Sequence, residues 1–203
     1  NNTLIGAGYT SINGRPHAES TAIKSSKFKV KNSYLYSTLE PCSNYGKTQP
    51  CVKIIANSKI KKVFFSHFDP DIKSFNKSIK YLKKRGVTTK TGIYLKPIKS
   101  FYKSYVLSKK TGYPYVNCKL AVSKDLFINN KKKKWITNFY SLGRAHLMRS
   151  KYDCVITSSE TVINDNPILT CRINGLYKKS PNRIILDNKL RISMNAKILN
   201  RDL

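Results

Sequence analysis

The sequence predicts an α/β fold built in two rounds. Short β-prone runs alternate with stretches of helical apolar spacing, which argues for parallel strands joined by helical crossovers. The pattern restarts after the turn-prone Thr111-Gly112-Tyr113-Pro114. These two observations divide the chain into residues 1–110 and 111–203.

In the first round, Leu4 to Tyr9, apolar with two glycines, predicts a buried strand. Gly14-Arg15-Pro16 turns the chain into a helix starting near His17, since proline suits the edge of a first turn. Tyr34 to Leu39 alternates as a strand does, and Val52, Ile55 and Ala56 recur at helical spacing after Cys51. Lys62 to Ser66 predicts a strand, Ser74 to Arg85 a helix stopped by Gly86, and Thr88 to Tyr94 a further strand. The second round predicts a strand over Tyr115 to Val122, a helix over Ser141 to Ser150, and strands over Cys154 to Ser158 and Arg183 to Asp187. That second unit is left open at Leu203.

Composition narrows the class. With 40% apolar residues among 203, the chain can bury a core and is not intrinsically disordered. It has no apolar run of the roughly 18 residues a membrane helix needs. Five cysteines, an odd number, suit a reducing cytoplasm better than a disulfide framework. The net charge of +29 has two readings. A basic surface binds nucleic acid by releasing counterions, but this charge is spread along a Lys-, Asn- and Ile-rich chain, with Lys131 to Lys134 as its one dense cluster. Composition is the preferred explanation, and attraction for a phosphorylated small substrate follows from either.

Chemistry concentrates in His17-Ala18-Glu19 and in Pro41-Cys42 through Cys51. His17, Cys42 and Cys51 are three soft ligands. Three protein ligands leave the fourth tetrahedral position of Zn²⁺ open, as catalytic zinc sites do. Glu19 is not needed as a ligand and is placed to carry protons. H-x-E followed by P-C is the signature of zinc nucleobase deaminases, whose second half is usually P-C-x-x-C. Here eight residues separate the two cysteines.

That long insertion carries a resemblance. Thr38-Leu39-Glu40-Pro41-Cys42-Ser43-Asn44-Tyr45-Gly46-Lys47-Thr48-Gln49-Pro50-Cys51 resembles the TLEPCSHHGRTPPC segment of the bifunctional riboflavin-biosynthesis deaminase/reductase family. The second half resembles the same family's reductase domain: Lys119-Leu120-Ala121-Val122-Ser123 is similar to its KLAxSLDG, Trp135-Ile136-Thr137 to its WIT, Thr157 through Arg172 to its GxxTVxxDxPxLTxR, and Pro181 through Asp187 to its PxRIVxD. The blocks stand in family order. The resemblance implies a cytidine-deaminase-like three-layer domain followed by a dihydrofolate-reductase-like α/β domain. It also implies a segment lacking both ends: the family's first helix and Asn-Pro pocket loop would precede residue 1, and the glycine-rich NADPH segment would follow Leu203. By that reading residues 1–203 alone do not turn over NADPH.

The implied chemistry is zinc-dependent deamination of 2,5-diamino-6-ribosylamino-4(3H)-pyrimidinone 5′-phosphate, then NADPH-dependent reduction of the ribosyl chain to ribityl. Carried over position by position, Glu19 is catalytic, and His17, Cys42 and Cys51 hold zinc. Lys47, Thr48, Asp69, Arg149, Leu169 and Arg172 contact substrate. Ala121, Trp135, Thr161, Asp165 and Asn188 contact NADPH, and Lys119 is a further reductase-pocket residue. Plainer readings stand beside several of these. Asp69-Pro70 forms turns readily, Thr161 and Asp165 suit helix caps, Arg149 suits a helix end, and Trp135 suits a core.

There are departures: Asn44-Tyr45 replaces a frequent His-His, Ser74-Phe75-Asn76 a glycine pair, Leu126 the turn glycine of Ser-Leu-Asp-Gly, and Lys133 a substrate serine. Two rivals remain at this point. One is a tRNA or single-stranded-DNA deaminase, suggested by charge and opposed by the cysteine spacing; the other is a non-catalytic zinc-binding relative. Self-association is left open.

Overall fold

The computed structural model describes residues 3–27, 29–72, 74–128 and 136–200. The chain forms two compact units, Asn1–Asn117 and Cys118–Leu203.

In the first unit, Leu4 to Tyr9 is not a strand, and Leu4 and Ile5 are exposed. Its glycines serve another purpose. A Cβ on Gly8 would lie 2.5 Å from the Ala22 nitrogen, so the bare backbone runs directly against helix α1 (Ala18–Ser25). Ser25 Oγ holds it there, accepting from Ala7 N (3.1 Å) and donating to Ala7 O (2.9 Å).

Strands β1 (Tyr34–Leu39), β2 (Lys62–His67) and β3 (Thr88–Thr91) form a parallel sheet in that order, with Tyr34 opposite Lys62 and Lys62 opposite Thr88. Helix α2 (Cys51–Asn57) makes the first crossover and α3 (Lys77–Lys83) the second. The apolar faces of α1, α2 and α3 meet one side of the sheet: Ile23, Val52, Ile55 and Leu82 pack with Val63 and Phe65 in one core. Because side chains alternate along a strand, the other side carries Tyr34, Tyr36 and Phe64, the last two stacked at 4.6 Å. Helices α4 (Leu95–Phe101) and α5 (Lys103–Thr111) reach that side where the Tyr102 and Thr38 hydroxyls bond at 2.8 Å.

Helix α3 starts three residues later than the periodicity predicts, since Asn76 sits at φ +55° just before it. Strand β3 ends before Gly92, whose φ of +79° turns the chain as its N–H bonds Phe65 O.

Tyr115 to Val122, which runs from the end of the first unit into the second, forms no strand. No strand pairs with it among the described residues, and Val116 and Leu120 face solvent. Helix α6 (Phe139–Arg149) is capped by Asn138, whose side chain accepts from Ser141 N. Strands β4 (Cys154–Ser158) and β5 (Asn182–Leu186) pair in parallel, and α7 (Ser159–Asp165), capped by Ser158, follows β4 directly. Val162, Ala196 and Ile198 form its small core, with Leu169, Ile185 and Ile192 around them. Leu126 keeps the turn that a glycine would occupy. Its φ is +66°, its N–H bonds Ser123 O at 3.0 Å, and the Ser123 hydroxyl closes the loop onto Phe127 N at 3.0 Å.

Candidate active site

Three element ends converge in the first unit. His17 is the N-cap of α1, which places Glu19 in the first turn, facing inward and buried. Strand β1 delivers Glu40-Pro41-Cys42 at its carboxyl end, and Pro50 starts α2 so that Cys51 is its first residue. The ligand atoms of His17, Cys42 and Cys51 all lie within 4.8 Å of one another. Cys51 Sγ is 3.5 Å from His17 Nδ1, and Cys51 N donates to Cys42 Sγ at 3.3 Å. Tetrahedral zinc bonds of about 2.0–2.3 Å to N and S give ligand–ligand edges of roughly 3.5–3.8 Å, which the His17–Cys51 separation matches. One imidazole and two sulfurs, with no fourth ligand in the cluster among the described residues, fit a catalytic zinc site.

The electrostatics agree with that donor set. Hydrogen bonds from Cys51 and His17 bring the Cys42 thiol down to about 4, despite its burial. Cys51, sharing a proton with Cys42 and buried beside Glu19, is pushed up. His17 is raised by its bond to Cys42. Glu19 is raised above the usual carboxylate range, first by burial, and accepts from Cys51 Sγ at 3.6 Å. A buried carboxyl that holds its proton more tightly is suited to proton transfer near neutral pH.

Lys47 and Thr48 lie on the exposed loop between the cysteines, and Thr48 Oγ1 accepts from Arg15 NH1 at 2.9 Å. Asp69 follows β2 and is buried. Its Oδ1 accepts from Asp71 N (3.0 Å), as in the turn reading, and from the Tyr105 hydroxyl (3.2 Å), which burial and Asp69 push up.

Sequence reasoning assigned no role to Glu40. Only 2% exposed, its carboxylate accepts from Asp69 N, Asn76 N, Ser78 N and the Ser78 hydroxyl. It ties the strand end bearing Cys42 to the loop bearing Asp69. A carboxylate abutting Pro-Cys was the one available signal.

In the second unit, Arg149 and Arg172 meet at His146. Arg149 NH1 donates to Thr170 O (3.1 Å) and lies 3.3 Å from His146 Nδ1, while Arg172 N donates to Nδ1 at 3.2 Å. Leu169, at φ +59°, packs on the neighbouring core. Thr161 and Asp165 lie on α7, where the cap is Ser158, and Asn188 follows β5. Lys119 is exposed and Ala121 half-buried in the irregular segment before Ser123. Trp135 and Lys133 lie outside the described residues.

No helix among the described residues is long and apolar enough to cross a membrane. Residues 1–67 match the cytidine and deoxycytidylate deaminase zinc-binding region, and residues 114–203 match the RibD C-terminal domain. The riboflavin biosynthesis protein RibD of Buchnera aphidicola is 36% identical over 98% of this chain and 58% of its own length. That of Bacillus amyloliquefaciens is 37% identical over 97% and 53%. The Thermotoga maritima diaminohydroxyphosphoribosylaminopyrimidine deaminase/5-amino-6-(5-phosphoribosylamino)uracil reductase superposes with a TM-score of 0.89 at 32% identity, covering 98% of this chain and 57% of that one. The chain spans about half the length of the curated relatives it matches. With a deaminase zinc region ahead of a RibD C-terminal domain, in one chain and in the relatives' order, it belongs to the RibD family of riboflavin-biosynthesis proteins.

Proposed function

We propose that the first unit deaminates 2,5-diamino-6-ribosylamino-4(3H)-pyrimidinone 5′-phosphate, and that the second serves the NADPH-dependent reduction of the ribosyl chain. The observation that carries the deaminase reading is the His17–Cys42–Cys51 cluster with buried Glu19 beside it. Zinc held by those three residues supplies the Lewis acidity that ionises water near neutral pH. Glu19 takes the proton released, passes it to a ring nitrogen, and then assists the departing ammonia. Its burial keeps the proton from bulk water between these transfers. Lys47 and Thr48 hold the ribose phosphate, and Asp69 orients the ring in a pocket whose wall Glu40 ties to the strand end of Cys42.

In the second unit, Arg149 and Arg172, gathered on His146, receive the phosphate of the reductase substrate beside Leu169. Ala121, Trp135, Thr161, Asp165 and Asn188 contact NADPH, which supplies the hydride, and Lys119 completes that pocket. The deaminase takes residues 1–110 and the reductase 111–203, a reading supported by two compact units that divide after Asn117. We place the protein in the cytoplasm, where its five free cysteines stay reduced, and leave self-association to measurement.

The test is ammonia release from the diaminopyrimidine ribosyl phosphate by the full-length protein, beside Glu19→Ala and a chelator-treated sample. Release that vanishes in both controls supports the assignment. No release from folded, zinc-loaded protein overturns it and turns attention to a nucleic-acid substrate or a binding role.

A further inference from the structure

Arg15 is the residue of this site whose chemistry the reaction above leaves unused. It lies two positions before His17, half-buried, on the turn that opens α1. Its NH1 donates to Thr48 Oγ1 at 2.9 Å and lies 4.0 Å from Cys42 Sγ. A Cβ on Gly46 would come within 2.9 Å of its NH2, so the missing side chain at Gly46 lets the guanidinium lie against the loop.

The ion pairs among the described residues are Lys109–Asp71 and Arg191–Glu160, and neither involves Arg15. The guanidinium is therefore brought to the loop without a carboxylate to neutralise it. Because Thr48 Oγ1 accepts from Arg15, its own hydroxyl proton is left to be given elsewhere. Exposed Lys47 adds an ammonium one residue away. Together Arg15, Lys47 and Thr48 bring N–H and O–H donors to one loop, two of them cationic and neither ion-paired with a carboxylate among the described residues, which suits a phosphate dianion.

We infer that Arg15 is a specificity-determining residue that recognises the 5′-phosphate of the deaminase substrate together with Lys47 and Thr48. This rests on the deaminase reading. Arg15 orients Thr48 through one N–H and presents the remaining fork to phosphate oxygens. It selects the phosphate ester over the unphosphorylated riboside.

The test compares the full-length wild type with Arg15→Gln and Arg15→Lys, using the phosphate ester and its dephosphorylated riboside as substrates. Loss of one charge-assisted contact lowers the preference for the ester about tenfold in Arg15→Gln. Arg15→Lys falls between, since it keeps the charge and loses the fork, and zinc content stays at wild type in both. An equal loss on ester and riboside, or loss of zinc, shows that Arg15 only props the loop or the Cys42 sulfur, and overturns the inference.

Should the wild type release no ammonia at all, the deaminase reading fails and a binding measurement still decides on Arg15. Inorganic phosphate is titrated while the Gly46 and Thr48 amide resonances are followed. Saturable shifts in the wild type that need about tenfold more phosphate in Arg15→Gln support phosphate recognition. Shifts that are absent, or that ignore the substitution, refute it.

Discussion

Ser78 gives both its backbone N–H (3.2 Å) and its hydroxyl (2.6 Å) to a single oxygen of Glu40. The other oxygen takes Asp69 N at 3.3 Å and Asn76 N at 3.0 Å. Four donors around a buried carboxylate satisfy what burial would otherwise make costly. They also explain the late start of α3, because Asn76 turns its N–H to Glu40 instead of joining the helix. Glu40→Gln puts an amide NH₂ against two of these donors. We expect it to lower stability by about 2–3 kcal/mol, against about 1 kcal/mol for Ser78→Ala, with zinc retained in both. Denaturant midpoints and metal analysis check this, and equal midpoints for the two variants would contradict it.

Metal removal is expected to abolish deamination and to lower the thermal midpoint, since a ligand that binds only the folded state stabilises it by mass action. Cys42→Ser reproduces both effects without chelator. A chelated sample that melts with the holoprotein shows that the His17–Cys42–Cys51 cluster holds no ion of consequence.

Leu126 holds a left-handed backbone that costs an L-residue about 1–2 kcal/mol. Leu126→Gly relieves the strain but frees the unfolded chain, for a net gain of about 0.5–1 kcal/mol. Calorimetry on the pair measures it. A destabilised glycine variant means that the exposed leucine side chain contributes more than its backbone costs.

Burial first, then Arg149 and Arg172, lower the proton affinity of His146 in the folded state. The unfolded chain therefore takes up this proton at a higher pH than the folded chain does. His146 favours folding fully above about pH 6.5, and that contribution fades as pH falls toward the folded-state value. His146→Gln should flatten this fall. Amide exchange along α6 at pH 7.5 and 5.5 reports it, and an unchanged slope in the variant removes His146 as the cause.

Local chemistry made β1, β2, β4 and β5 legible as short β-prone runs between turn-forming residues. Leu4 to Tyr9 and Tyr115 to Val122 look equally strand-like, but a strand exists only where another chain segment pairs with it. Gly8 instead brings its backbone against α1. The metal trio could be read from residue type and spacing alone. Arg15, Glu40 and His146 could not, since each acts on partners 24 or more residues away along the chain. An arginine before Pro-His, or a histidine inside a helix, shows no such partner in sequence.

The parallel order of β1, β2 and β3 has a consequence during synthesis. His17, Cys42 and Cys51 all emerge before Thr91, where the last of the three strands beneath them ends. At ordinary elongation rates those about 40 residues take roughly 2–8 s. Through that interval the growing chain carries two bare thiols with no finished floor to hold them, so zinc supply and oxidants compete at the ribosome before the three-stranded sheet exists.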